Sequence, residues 1–216
     1  MVTVGGREVA EPGGPVELGL SSLVYPDERQ VGGRRPAPGD LALVQAFVNT
    51  SWDLDDGNRE RFASPEAIRS WLDQRELIEP GTELDQRDME RVLDVRTGLR
   101  AMMFVNNGAS VDAEAIDRLE GALRVPGAAV HLHPSERPDF RIRRDGLDQA
   151  LSLIATVVAV AQLDGRWRRL KACRGTDCGW AFYDHSRNQG SSWCAMSVCG
   201  ARAKAREYRR RQRRGD

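Results

Sequence analysis

Cys173, Cys178, Cys194 and Cys199 are all the cysteines of this chain, and they fall within one short window of its 216 residues. They form two C-x4-C pairs with fifteen residues between them. Two like pairs joined by a loop long enough to fold back suit one tetrahedral zinc ion, each pair supplying one edge of the tetrahedron. Four thiolates fill that shell, so the site reads as closed and structural, whereas a catalytic zinc keeps a position open. A segment this small cannot core itself, and metal binding would be its folding energy. The competing chemistry is a pair of disulfides, which needs an oxidising compartment. Nothing directs export, because the opening stretch MVTVGGREVAEPGG lacks the basic start and apolar centre of a signal peptide. His185 lies inside the loop and could replace one thiolate, but the four cysteines complete the shell without it.

The second pair runs straight into cations. From Arg166 onward there are fourteen Arg and Lys against four acids, a net +10, while residues 1–165 carry eighteen against twenty-eight, a net −10. The formal charge of zero hides this division, which points to a basic segment with an anionic partner on an acidic body. With Cys199 as a helix start and about 100° per residue, Arg202, Arg206, Arg209 and Arg213 share one stripe in the i, i+4, i+7, i+11 pattern. Ala201, Ala205 and Tyr208 make a neighbouring stripe small enough to lie against the zinc module. That geometry suits phosphate contact or entry into a major groove, with Arg187 and Lys171 as further phosphate contacts.

Other chemistries find less support. Asp184, His185 and Ser186 are the residue types of a hydrolase triad, yet adjacent residues do not converge side chain on side chain as a triad must. His131 and His133 share a strand face but have no evident third ligand. There is no G-x-x-x-x-G-K-[ST] phosphate loop and no G-x-G-x-x-G fingerprint.

The elements that position these residues are mostly helical. Residues 1–40 read as a loose lead-in with one short strand at 16–25. An apolar helix spans 41–49, with Asn49 as a left-handed cap. Ser64-Pro65 starts the next, with Ile68, Trp71 and Leu72 on its apolar face. A long helix covers about 85–106 and ends at Asn106-Asn107-Gly108, and Ser110 caps a shorter one through Arg124. AAVHLHP (128–134) and DFRIRR (139–144) alternate like two antiparallel strands. Residues 147–163 are apolar nearly all round and read as a buried central helix, the most apolar stretch of a chain whose mean hydropathy is −0.52. That stretch, broken by Asp148, Gln149 and Gln162, falls short of a membrane span, so a cytoplasmic protein with no membrane partner is expected. Residues 166–171 look like a strand leading into Cys173.

The cysteine window resembles the CGNR zinc-finger family along Cys173–Arg211. The family's aromatic-Asp-x-Ser-Arg-Asn run appears as Tyr183-Asp184-His185-Ser186-Arg187-Asn188, its Trp-Cys-x-Met as Trp193-Cys194-Ala195-Met196, and its naming tetrad as Cys199-Gly200-Ala201-Arg202. Ala201 stands in place of the tetrad's asparagine, and Ser191-Ser192 where the family usually has two arginines. The body is similar, on shorter words (FVNT at 47–50, PEAIRSWL at 65–72, the helix of Arg96), to the ABATE domain that precedes this finger and is described as a stress-induced transcription regulator. The fold class expected is thus α+β and mainly helical: a lead-in over 1–40, an ABATE-like helical domain with a small antiparallel sheet over 41–165, and a four-cysteine finger ending in a basic helix over 166–216. The resemblance implies one structural zinc, duplex DNA as partner, and a body that senses a small-molecule effector or pairs subunits into a homodimer. It implies a regulator, not an enzyme. An RNA-binding or ribosome-associated zinc module is the alternative.

Overall fold

The computed structural model describes residues 30–51, 60–124, 129–131, 139–141 and 146–213. The expected strand at 16–25 therefore lies outside the described residues. Helix α1 (Leu41–Val48) is buried at seven of its eight positions, as an apolar run with no polar face must be. Asn49 does not close it in a left-handed cap. Its φ of −77° and ψ of 1° carry the chain onward into a 3-10 turn, Asn49–Ser51. Helix α2 (Pro65–Asp73) starts as expected, with Ser64 Oγ accepting from the Ala67 amide at 3.3 Å and proline in the first turn. Helix α3 (Gln86–Asn106) opens on a reciprocal capping box between Asp85 and Asp88. Helix α4 (Ala113–Ala122) is capped by Asp112, not Ser110, because the Asp112 carboxylate reaches the Ala115 amide at 3.0 Å.

Strands β1 (Ala129–His131) and β2 (Asp139–Arg141) pair antiparallel with Val130 opposite Phe140. The outer parts of the two expected strands, His133 included, lie outside the described residues. Helix α5 (Gly146–Leu163) is long and apolar enough to cross a membrane by composition, but Leu151, Ile154, Val157 and Ala161 are buried in the main core. Phe47, Phe62 and Trp71 cluster there with ring centroids 5.6–5.8 Å apart. Arg96 is buried beside them and grips Glu60 with both terminal nitrogens, at 2.5 and 2.6 Å.

Beyond Gly165 the chain makes a 3-10 turn over Arg166–Arg169, and only Leu170–Ala172 form a strand, β3. The expected strand over 166–171 is thus shorter and later. Its partner is β4 (Ala181–Tyr183), in register Leu170–Tyr183, Lys171–Phe182 and Ala172–Ala181. Because side chains alternate across a strand, the hairpin has two faces. Leu170, Ala172, Ala181 and Tyr183 join the main core, whereas Phe182 and Trp180 pack with the four cysteines in a second, smaller core.

Hydrogen bonds fasten this hairpin to the helices. Asn49 donates from Nδ2 to the Ala181 carbonyl (2.9 Å) and accepts the Ala181 amide at Oδ1 (2.7 Å). Asn107 Nδ2 donates to the carbonyls of Ala172 (2.7 Å) and Ser192 (3.0 Å). The described part of the expected lead-in is ordered against the finger: Arg34 donates to the carbonyls of Cys194 and Trp193 at 2.5 and 3.0 Å. The hairpin thus belongs to the main core on one face and to the smaller, cysteine-lined core on the other.

Replacing Asn49 with alanine orphans the buried Ala181 amide and should cost about 1–3 kcal/mol. Because the hairpin belongs to the main core, loss should appear in one transition. Urea unfolding followed by tryptophan fluorescence and by far-UV circular dichroism should shift together. Separate transitions would show that the hairpin is not integral to the body.

Candidate metal centre

Strand β3 delivers Cys173 into the second core, and the Cys173 amide donates to the Trp180 carbonyl at 2.9 Å, closing the hairpin over the turn that carries Cys178. That turn needs Gly175, since a Cβ there would lie 2.8 Å from Cys199 Sγ and 3.1 Å from Cys178 Cβ. All four thiols are buried and unbridged, and their sulfurs lie within 4.8 Å of one another. Cys194 Sγ is 3.7 Å from Cys178 Sγ and 3.6 Å from Cys199 Sγ. Sulfurs about 2.3 Å from a tetrahedral zinc stand about 3.8 Å apart, so these separations match the edges of such a site.

The electrostatics ask for a cation. Hydrogen bonds from Cys178 and Cys194, joined by the amides of Cys194 and Gly175, pull the Cys173 thiol down to about 2. The cost falls on its neighbours. Hydrogen bonding to Cys173 pushes Cys178 up to about 12, and the bonds to Cys173 and Cys178 push Cys194 up as well. Without a metal the cluster holds one negative charge readily and resists the next. A divalent ion removes that conflict by binding all four as thiolates.

The loop between the pairs is organised by Asp184, which is fully buried. Its carboxylate accepts from Ser186 Oγ (2.6 Å), the Ser186 amide (3.0 Å), the Ser191 amide (2.9 Å) and Lys171 Nζ (2.9 Å). Burial alone would raise this carboxyl, but the bonds from Ser186, Lys171 and Ser191 outweigh it and hold it well below the usual carboxylate range. Lys171, expected among the phosphate contacts, is a correction. It is buried, and Nζ also donates to the carbonyls of Gln189 and Ser191. Its position opposite Phe182 turns it inward, and all three of its donor directions are used inside the loop. The Asp184–Lys171 pair escaped sequence reasoning because its members sit thirteen residues apart on different sides of the hairpin.

His185 is exposed, with Nε2 3.0 Å from the Pro36 carbonyl, so it points at the lead-in and not at the sulfurs. Arg187 is exposed in the loop.

The second pair is carried by a π-helical turn, Met196–Gly200, followed by α6 (Ala201–Gln212). The expected helix start at Cys199 thus falls inside the wider turn. Gly200 lets Met196 and Trp193 pack over the backbone, since a Cβ there would lie 2.7 Å from Met196 Sδ and 3.4 Å from Trp193 Cδ1. No residue of α6 is buried. Ala201 and Ala205 are exposed and do not lie against the module as expected, and Tyr208, though exposed, meets it only as part of a groove wall. Ala203 and Glu207 are half-covered instead, facing Trp193 and Met196 across a groove of 530 Å³. Glu207 pairs with Arg210 at 2.5 Å and Arg211 at 3.0 Å. On the opposite side Arg202, Arg206, Arg209 and Arg213 are exposed and make no ion pair among the described residues.

Comparison with known families accords with this arrangement. A model of the CGNR zinc finger matches residues 169–212. A model of the ABATE family, described as "Putative stress-induced transcription regulator", matches residues 39–165, more than half of the chain. No curated protein matches the chain. As a CGNR finger, the four-cysteine cluster is positioned to bind one ion, a structural zinc.

Elemental analysis of the reduced protein should return one zinc per chain, and Gly175→Ala should lower zinc retention against a chelator by crowding Cys199. A second expectation concerns the loop. Asp184→Asn leaves Lys171 buried without its charge partner and should cost about 3–5 kcal/mol. Since the folded carboxyl is depressed, its contribution is complete above the free value near 3.9 and is lost only as acid passes below it. The stability gap between the two proteins in urea should therefore stay constant from pH 8 to pH 5.

Proposed function

The chain belongs to the ABATE family, and from that premise we propose that it is a zinc-dependent DNA-binding transcription regulator acting in the cytoplasm. Residues 166–216 form the DNA-contacting unit, and residues 41–165 the unit that senses a small molecule or pairs subunits. One observation carries the reading: four exposed arginines, with no acidic partner among the described residues, share one face of a helix that packs chiefly on the cysteine-bearing turn. A helix of twelve residues is marginal alone in water. Here it grows out of a turn fixed by Cys199, and three arginines in its last turn suit the negative end of the helix dipole. The metal thereby sets where the arginine face points.

Charge sorting within α6 supports the same face. Glu207 is bonded by Arg211 and Arg210, which hold its carboxyl below its usual range, so those two cations are partly spent within the helix. Arg202, Arg206, Arg209 and Arg213 keep their charge for a partner, and with Arg187 in the loop they supply five phosphate contacts. Such a helix is slim enough for a major groove about 12 Å wide.

Binding of a labelled mixed-sequence duplex, followed by fluorescence anisotropy, should weaken with salt. Five phosphates predict a log–log slope of about −4.5. Arg206→Ala with Arg209→Ala should weaken binding far more than Lys204→Ala with Arg211→Ala, although each pair removes two charges. Equal losses would leave long-range attraction as the whole effect and remove the docking face. A structured RNA that competes better than duplex would replace DNA with RNA as the partner.

A further inference from the structure

The Trp193–Met196 ridge has a second side. Between it and the loop lies a cleft of 330 Å³ whose polar lining comes from Arg34, Ser186, Asn188, Ser191 and Ser192. Arg34 lies outside both family-matched ranges, which begin at residues 39 and 169. Its guanidinium is fixed on three sides. Nε donates to the Cys194 carbonyl, Nη2 donates to the Trp193 carbonyl, and the plane sits 4.8 Å from the centroid of the Phe182 ring. It is half-buried, yet it pairs with no carboxylate among the described residues, and Nη1 has no acceptor there.

A positioned, partly desolvated cation that no described carboxylate balances favours an anion beside it, because neutral carbonyls satisfy its protons without cancelling its charge. The neighbours are donors too. The hydroxyls of Ser191 and Ser192 bond no described residue, and Asn188 uses its oxygen on the Gly190 amide, which leaves its Nδ2 available. Asp184 is fully buried beneath Ser186 and Ser191 and is balanced by Lys171, so the loop's carboxylate lines no part of the cleft.

We propose that this cleft is a phosphate-binding subsite, anchored by Arg34 and completed by Ser191, Ser192 and Asn188, which holds a backbone phosphate of the nucleic acid engaged by α6. It rests on the reading of the protein as a nucleic-acid binder and adds to it a contact from the segment ahead of the ABATE domain. Trp193 and Met196 wall the cleft on its apolar side. The strongest of the donors is also the most rigid, so little side-chain entropy remains to be lost on binding.

The test uses the full-length, zinc-loaded protein and the same labelled duplex. Arg34 adds a sixth phosphate to the five of α6 and the loop, so the wild-type slope becomes about −5.4. Arg34→Met should return it to about −4.5 and weaken binding on the order of tenfold, with zinc content unchanged. Arg34→Lys keeps the charge and should keep the slope. Wild-type slope in Arg34→Met, or zinc loss that parallels the loss of binding, would overturn the subsite while leaving the α6 interface standing. A second arm needs no variant to fold and no DNA. Titrating inorganic phosphate into the wild type should shift the Arg34 Nε–Hε signal in nitrogen–proton spectra, and an unmoved signal would overturn the proposal. If the wild type leaves duplex unbound at every salt concentration, the regulatory reading falls, and the phosphate titration alone decides whether the cleft takes a free phosphate.

Discussion

Everything beyond Gly165 depends on a three-residue pairing, β3 against β4, that has to satisfy two environments at once. Ala172 opposite Ala181 lets α1 and α3 approach closely enough for Asn49 and Asn107 to bond the hairpin backbone. Lys171 opposite Phe182 faces the other way, where the ring packs with the cysteines and the ammonium ties down the loop. A shift of register by one residue would exchange these faces, placing an ammonium among the aliphatic side chains of the body. The pairing is short, so its register is held by the asparagines and by the metal ligands at its ends and not by strand length.

This arrangement makes the metal centre a joint product of distant parts of the chain. The sulfurs come from one window, but their backbone is held by Arg34 from the lead-in, Asn107 from the end of α3 and Gly175 within the first turn. Zinc therefore organises only the innermost part of the finger, and the helical body supplies a preformed wall. The Asn107–Ser192 bond ties the end of α3 to the backbone just ahead of the second cysteine pair.

What the sequence made legible follows from how local each signal is. The cysteine spacing, the Ser64-Pro65 cap, the apolar α1 and α5, and the arginine stripe are all set by residues close together, and they could be read directly. Asn49 was legible as polar at a helix end but not as a bridge, because its partner Ala181 lies 132 residues away and has an unremarkable side chain. Lys171 misled for a related reason. A lysine in a basic segment signals a solvated charge, and only the strand pairing turns it toward Asp184. The same holds for α4, where Ser110 and Asp112 are both good caps by type and only the backbone path selects the second.

Among the described residues, helix α6 is attached chiefly through the turn Met196–Gly200, and none of its residues is buried. Twelve residues extend about 18 Å, so a tilt of about 10° at its base would sweep the far end through about 3 Å. The helix is a lever with its fulcrum at Met196–Gly200, and the arginines of its exposed face move as a rigid set. A disturbance too small to alter the cysteine cluster would still re-aim the whole set, amplified with distance from the turn.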